Sequence, residues 1–105
     1  MQIDAINTLE IRFVEAPDVF FERRLRVYRA RFEAEQGCVS FVVSRASGAE
    51  HVWILSGHWT DNTHMTAHFA GANMAELVNF LIGLRAHLSF ASFGKVQPGT
   101  SADVR

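Results

Sequence analysis

Cysteine is almost missing from this chain. Cys38 is the single one in 105 residues, which excludes an intrachain disulfide and suits a reducing compartment, with the cytoplasm as the default expectation. Proline is equally scarce at two residues, with seven glycines, so no Pro- or Gly-rich linker and no internal repeat divides the sequence. Long apolar runs are absent too: none approaches the roughly 20 residues that span a bilayer, and no membrane association is expected. The opening MQIDAINTLEIRF carries Asp4 and Glu10 among its apolar residues and lacks a basic leader, so it reads as a strand and not as a signal peptide. Neither sign of charge dominates: Lys plus Arg number 10, Asp plus Glu 11, and the formal net charge is −1. The two signs are interspersed, which gives no reason to expect nucleic acid or an anionic membrane as partner. The one basic run, RRLRVYRAR from Arg23 to Arg31, alternates with apolar positions and reads as a solvated helix face. No phosphate loop, dinucleotide-binding glycine motif or serine elbow is present.

What remains, at 49% hydrophobic residues, is the composition of one globular domain, expected over residues 1–96 with a loose tail QPGTSADVR at 97–105. From Ile3 to Val14 the residues alternate, with Ile3, Ala5, Asn7, Leu9, Ile11 and Phe13 on one face, which predicts a strand. Pro17 suits a first helical turn, and Phe21, Leu25, Tyr28 and Phe32 then follow at helical spacing up to a stop at Gly37. Two β-rich runs, Val39 to Ser44 and Val52 to Trp59, flank ASGAE and predict a hairpin. A short helix is expected from about Asp61 to Phe69, with Thr60 or Asp61 as its cap, before AGAN breaks it. A further helix carries Leu77, Phe80, Leu81, Leu84 and Leu88 as its stripe and ends at His87, and SFASFGKV forms the last strand. Gly94 within that strand suggests a bulge or a close approach to a partner subunit.

The order β-α-β-β-α-β predicts an α+β, ferredoxin-like fold, with both helices on one face of a four-stranded antiparallel sheet. The other face has no cover within the chain. Because VSFVV and VWIL read as apolar on both faces, that bare face predicts a homodimer built sheet against sheet.

Chemistry concentrates in HWTDNTHMTAHF, His58 to Phe69, which holds three of the five histidines. His64 and His68 lie four apart on one face of a predicted helix, a spacing that zinc sites use, but the motif lacks the glutamate of a zinc protease and no metal is expected. His68 suits a general base, because an imidazole titrates near neutral pH. Asn7 is the polar residue on an otherwise apolar strand face, where a carboxamide needs a partner or a task. Cys38 reads as structural.

A first strand closing in an acidic residue and proline, a helix ending at QGCVSF, and then W-T-D followed by M-x-A-H-F together resemble the antibiotic biosynthesis monooxygenase family of dimeric α+β barrel proteins. The resemblance covers about Ile3 to Val96. It implies a cofactor-independent oxygenase acting with O₂ on a small reduced aromatic, quinol-like or anthrone-like, with His68, Asn7 and Trp59 as the catalytic group and Phe13, Phe69, Phe80 and His64 around the substrate. No cofactor is implied. Relatives that degrade haem place an axial histidine near Leu77, and leucine does not ligate iron. Quinone-forming relatives carry an asparagine at the position of Leu55 and an arginine near Asn79. The same fold also accommodates an isomerase using a histidine base on a small carbonyl substrate, and a non-catalytic small-molecule-binding dimer.

Overall fold

The computed structural model describes residues 2–96, so the expected tail at 97–105 lies outside the described residues. Seven elements follow in chain order: strand β1 (Ala5–Arg12), helix α1 (Phe21–Glu33), strands β2 (Cys38–Arg45) and β3 (Val52–Trp59), helices α2 (Asn62–Phe69) and α3 (Ala72–Gly83), and strand β4 (His87–Gly94). The strands form one antiparallel sheet in the order β2-β3-β1-β4, the ferredoxin-like arrangement expected from the sequence.

Alternation along β1 sets the layers. Ala5, Asn7, Leu9 and Ile11 are buried under the helices, and the intervening Ile6, Thr8 and Glu10 point to the other face. Their cross-strand partners share each face: Trp59, Gly57, Leu55 and Trp53 on β3 lie on the helix side, as do Gly94, Ser92, Phe90 and Leu88 on β4. Helix α1 lays Phe21, Leu25, Tyr28 and Phe32 onto this surface, and α3 adds Met74, Leu77 and Leu81. Each fully buried Leu or Phe among these stabilises the fold by roughly 1.5–3 kcal/mol relative to its exposed state.

Local chemistry corrects several sequence expectations. Pro17 does not open α1. The helix starts at Phe21, after Asp18 accepts the backbone N–H groups of Phe20 through its carboxylate (2.7 Å) and of Phe21 through its carbonyl (3.0 Å). Helix α3 stops at Gly83, so its stripe is Met74, Leu77 and Leu81; Leu84 is its exposed cap and Leu88 belongs to β4. His87 therefore begins the last strand and does not end a helix. The reason is a Schellman closure: Ala86 N–H bonds to Leu81 C=O at 3.1 Å and Arg85 N–H to Ile82 C=O at 2.9 Å, with Arg85 in left-handed conformation (φ 63°). Strand β4 pairs with β1 without interruption from His87 to Gly94, so Gly94 makes no bulge; the register irregularity lies instead in β2, between Cys38 and Ser40.

The uncovered face is less apolar than the runs VSFVV and VWIL suggest. Ser40, Val42 and Ser44 of β2, Val52, Ile54, Ser56 and His58 of β3, and Ile6 and Thr8 of β1 occupy it, because strand parity sends Phe41, Val43, Trp53 and Leu55 to the helix side. Among the described residues, no helix is long and apolar enough to cross a membrane.

Candidate active site

One turn of chain brings the acidic partner into place. After α1, the carbonyl of Glu35 accepts the N–H of Cys38 at 3.1 Å, and Gly37 supplies the positive φ of 83° that the third position of a type II turn requires. The turn is pinned to the far end of β3, since Thr60 N–H bonds to Gly37 C=O at 2.9 Å. Helix α2 then begins under a sound cap: the Asp61 carboxylate accepts the His64 N–H at 2.8 Å. The same carboxylate oxygen meets Nδ1 of His64 at 2.8 Å. The His64 ring lies so close over Gly37 that a Cβ there would come within 2.3 Å of it. Glycine at position 37 thus serves both the turn and the seating of α2.

One helical turn after His64, His68 points inward and is 1% exposed. Its Nδ1 lies 3.0 Å from Oε1 of Glu35, whose Oε2 accepts from the Asn73 side-chain amide at 3.0 Å. A carboxylate only accepts hydrogen bonds, so the proton of the neutral imidazole resides on Nδ1 and the lone pair on Nε2. The walls around the ring are apolar. Phe32 stands edge-on at 4.7 Å between centroids, Trp59 lies tilted against it at 4.7 Å, and Phe41 and Phe69 follow at 5.6 and 5.8 Å. Burial among these rings lowers the His68 pKa, and the Glu35 hydrogen bond and charge oppose that shift without overturning it. His68 is therefore neutral at pH 7.

At the indole N–H edge of Trp59 sits Asn7, also 1% exposed. The indole Nε1–H donates to Asn7 Oδ1 at 2.7 Å. An indole N–H cannot accept, so this bond fixes the orientation of the amide and leaves its NH₂ facing away from Trp59. Gly57 makes the packing feasible, because a Cβ at that position would come within 2.4 Å of Asn7 Oδ1, 2.7 Å of the Phe41 ring and 2.8 Å of Trp59 Nε1. Asn7 Nδ2 and His68 Nε2 are both buried without a hydrogen-bond partner. One is a donor and the other an acceptor.

The structure thus brings together Asn7, Trp59, His68 and Phe69. It places Phe13 and Phe80 elsewhere, in a second aromatic group with Phe21, Tyr28 and Trp53. Phe13 follows the opposite end of β1 from Asn7, about 20 Å along the strand at 3.3 Å per residue. Phe80 packs between Tyr28, at 5.8 Å, and the Arg24 guanidinium, at 4.5 Å. His64 stands one turn before His68 on α2, with its ring against Asp61 and over Gly37. Among the described residues, no group of three or more His, Cys, Asp or Glu side chains could hold a metal ion. The Cys38 thiol is pushed up to about 11, chiefly by burial and then by the charges of Glu33 and Glu35, so it stays protonated.

Two participants escaped sequence reasoning. Glu35 looks like one more acidic residue at a helix end, and its meeting with His68 depends on the turn at Gly37. Gly57 did leave a signal, a lone glycine inside the strand pattern VWILSGHW, which marks a close approach.

Several solved structures share the fold. PA3566 from Pseudomonas aeruginosa is 15% identical, with 92% of this chain and 98% of that one covered and a TM-score of 0.72. SnoaB from Streptomyces nogalater, a cofactor-independent oxygenase, is 18% identical, with 92% and 98% covered and a TM-score of 0.71. A conserved protein from Methanosarcina mazei is 13% identical, with 90% and 95% covered and a TM-score of 0.69. No curated protein matches the sequence. The family model described as antibiotic biosynthesis monooxygenase matches residues 17–79, from the segment before α1 into α3, and the chain belongs to that family.

Proposed function

We propose that this protein is a cofactor-independent monooxygenase that oxidises a small reduced aromatic, a quinol or an anthrone, with O₂. The observation that carries the reading is a pair of buried, unpartnered atoms on two residues that both contact Trp59: the Asn7 NH₂ donor and the His68 Nε2 acceptor. An unpaired buried polar group costs about 1–3 kcal/mol, and a ligand offering one acidic hydrogen and one oxygen would relieve both costs. A phenol or anthrone offers both.

In this reading His68 Nε2 takes the acidic proton, and the Glu35 carboxylate stabilises the imidazolium that forms. The Asn7 amide donates to the developing oxyanion. The substrate anion passes an electron to O₂, and radical and superoxide combine into a peroxide that regains the proton from His68. Loss of the second hydrogen with O–O cleavage then releases water and leaves a carbonyl, so that R₂CH₂ and O₂ become R₂C=O and H₂O. The dry box of Phe32, Phe41 and Trp59 excludes water from the base. A substrate would approach from β4, where Ser92 lies across from Asn7 on the helix side, and Phe90, 47% exposed, stands edge-on to Phe69. SnoaB, a cofactor-independent oxygenase on the same fold, makes this chemistry a natural one to test. The uncovered sheet face, with Ile6, Val42, Ile54 and Phe93 among small polar residues, would hold a second copy of the chain.

The test is oxygen consumption by metal-stripped protein offered a panel of quinols and anthrones. Uptake that survives chelation and is lost in His68→Ala supports the proposal. Equal uptake in wild type and variant, or none with any member of the panel, removes it.

A further inference from the structure

At the opposite end of the sheet from His68, a cleft of about 580 Å³ opens between α1 and the end of β2, lined by Glu22, Arg26, Arg29, Ser44, Arg45 and Trp53 among others. Three guanidinium groups line it beside the carboxylate of Glu22, which is already shared. Glu22 Oε2 accepts from Arg45 at 2.6 Å and from the Trp53 indole at 2.8 Å, and these two bonds hold its pKa below the usual carboxylate range.

The other arginines of α1 are accounted for by different contacts. Arg23 lies over Phe20 and Arg24 over Phe80, while Arg31 lies over Tyr28 and pairs with Glu76 at 3.0 Å. Arg26 and Arg29, three residues apart, share the flank of the helix that faces Arg45. Arg29 spends one nitrogen on Glu33 at 2.9 Å. Arg26 has no side-chain hydrogen bond among the described residues, only the attraction of Glu22 one turn back. Each guanidinium carries five N–H donors, so most of the donors in the cleft remain available. With Arg45 paired to Glu22 and Arg29 to Glu33, the third guanidinium leaves the cleft a surplus of positive charge that an anion would neutralise.

We infer that the cleft between Arg26, Arg29 and Arg45 is an anion site for the phosphate group of a small molecule. Guanidinium forks match phosphate oxygens in pairs. The Trp53 ring is covered by Arg45, whose guanidinium carbon lies 5.4 Å from its centre, so it offers no stacking platform and recognition falls to charge. Trp53 stands about 20 Å along β3 from Trp59, at 3.3 Å per residue. The site is therefore separate from the oxygenase reading and does not depend on it.

The test follows the arginine Nε–H resonances of the full chain by NMR, in chloride buffer at fixed ionic strength, during titration with inorganic phosphate and, separately, phenyl phosphate. The expected result is a saturable shift of the Arg26, Arg29 and Arg45 signals, weakened at least tenfold by the double substitution Arg26→Gln and Arg29→Gln, with oxygen uptake unchanged. Tighter binding of phenyl phosphate identifies an ester as the occupant, and tighter inorganic phosphate identifies the free ion. A shift that never saturates, that chloride reproduces, or that the double substitution leaves intact overturns the inference. Circular dichroism of the double variant confirms that both comparisons are made on folded protein, as expected for side chains at the surface.

Discussion

The Glu35 carboxylate meets His68 Nδ1 at 3.0 Å, joining the turn after α1 to the last turn of α2 across 33 positions of chain. The bond holds the proton on Nδ1 and leaves the Nε2 lone pair free, as the proposed base requires. Replacing Glu35 by Gln keeps a hydrogen-bonding group of the same shape but removes the charge that stabilises an imidazolium. The oxygen-uptake rate should fall about tenfold in Glu35→Gln, against the roughly 10²–10⁴-fold that removal of a general base costs in His68→Ala. A positioning role predicts that the fall appears in kcat, with KM little changed. A change confined to KM would place Glu35 in substrate binding instead.

The lowered pKa of His68 also fixes how stability responds to acid. The folded chain holds this imidazole neutral below the ordinary value of 6.5, where the unfolded chain already takes up the proton. Between the folded and unfolded values the unfolded state binds more protons, so stability rises with pH across that window. The contribution is complete above about pH 6.5 and is lost progressively as the pH falls toward the folded value. Thermal unfolding followed from pH 7.5 down to 5 should show a falling Tm. His68→Phe, which cannot titrate, should flatten that slope. An equal slope in both proteins would assign the acid sensitivity to other groups.

Gly57 supports the site from the neighbouring strand. A methyl group there meets Asn7 Oδ1 at 2.4 Å and two aromatic side chains within 2.8 Å, and all three are locked in the core. Gly57→Ala should therefore destabilise the fold by about 1–3 kcal/mol, as overpacking does, and should break the bond between Trp59 and Asn7. Urea unfolding measures the first effect. The indole N–H resonance of Trp59 reports the second.

The sheet, its order and its inward face were legible because alternation over Ile3 to Phe13 and the apolar hairpin strands leave little freedom once one face is buried. The joining of Asn7, Trp59 and His68 was legible through family resemblance and strand parity. Three features were not. Phe13 shares the helix-side core with His68, and a linear pattern does not distinguish the two ends of a strand some 20 Å apart, while Phe80 on α3 joins the Phe13 end through Phe21. Glu35 reaches His68 through a turn whose direction depends on the conformation of Gly37. The end of α3 was misplaced because Leu84 and Leu88 continue the helical spacing, whereas a left-handed residue at Arg85 breaks it.

That residue leads to the last prediction. Arg85 occupies the position after the α3 cap at φ 63°, where its Cβ crowds the backbone and glycine pays no such cost. Its N–H bond to Ile82 and the Ala86 bond to Leu81 are made by backbone alone, so glycine would keep both. Arg85→Gly should raise stability by about 1 kcal/mol, less the entropy that glycine adds to the unfolded chain. Arg85 also lines a cleft of about 690 Å³ with Phe13, Pro17 and His87. If the left-handed conformation is only a helix stop, the variant unfolds at higher temperature with oxygen uptake unchanged. If Tm falls, the arginine side chain contributes contacts that outweigh its backbone strain.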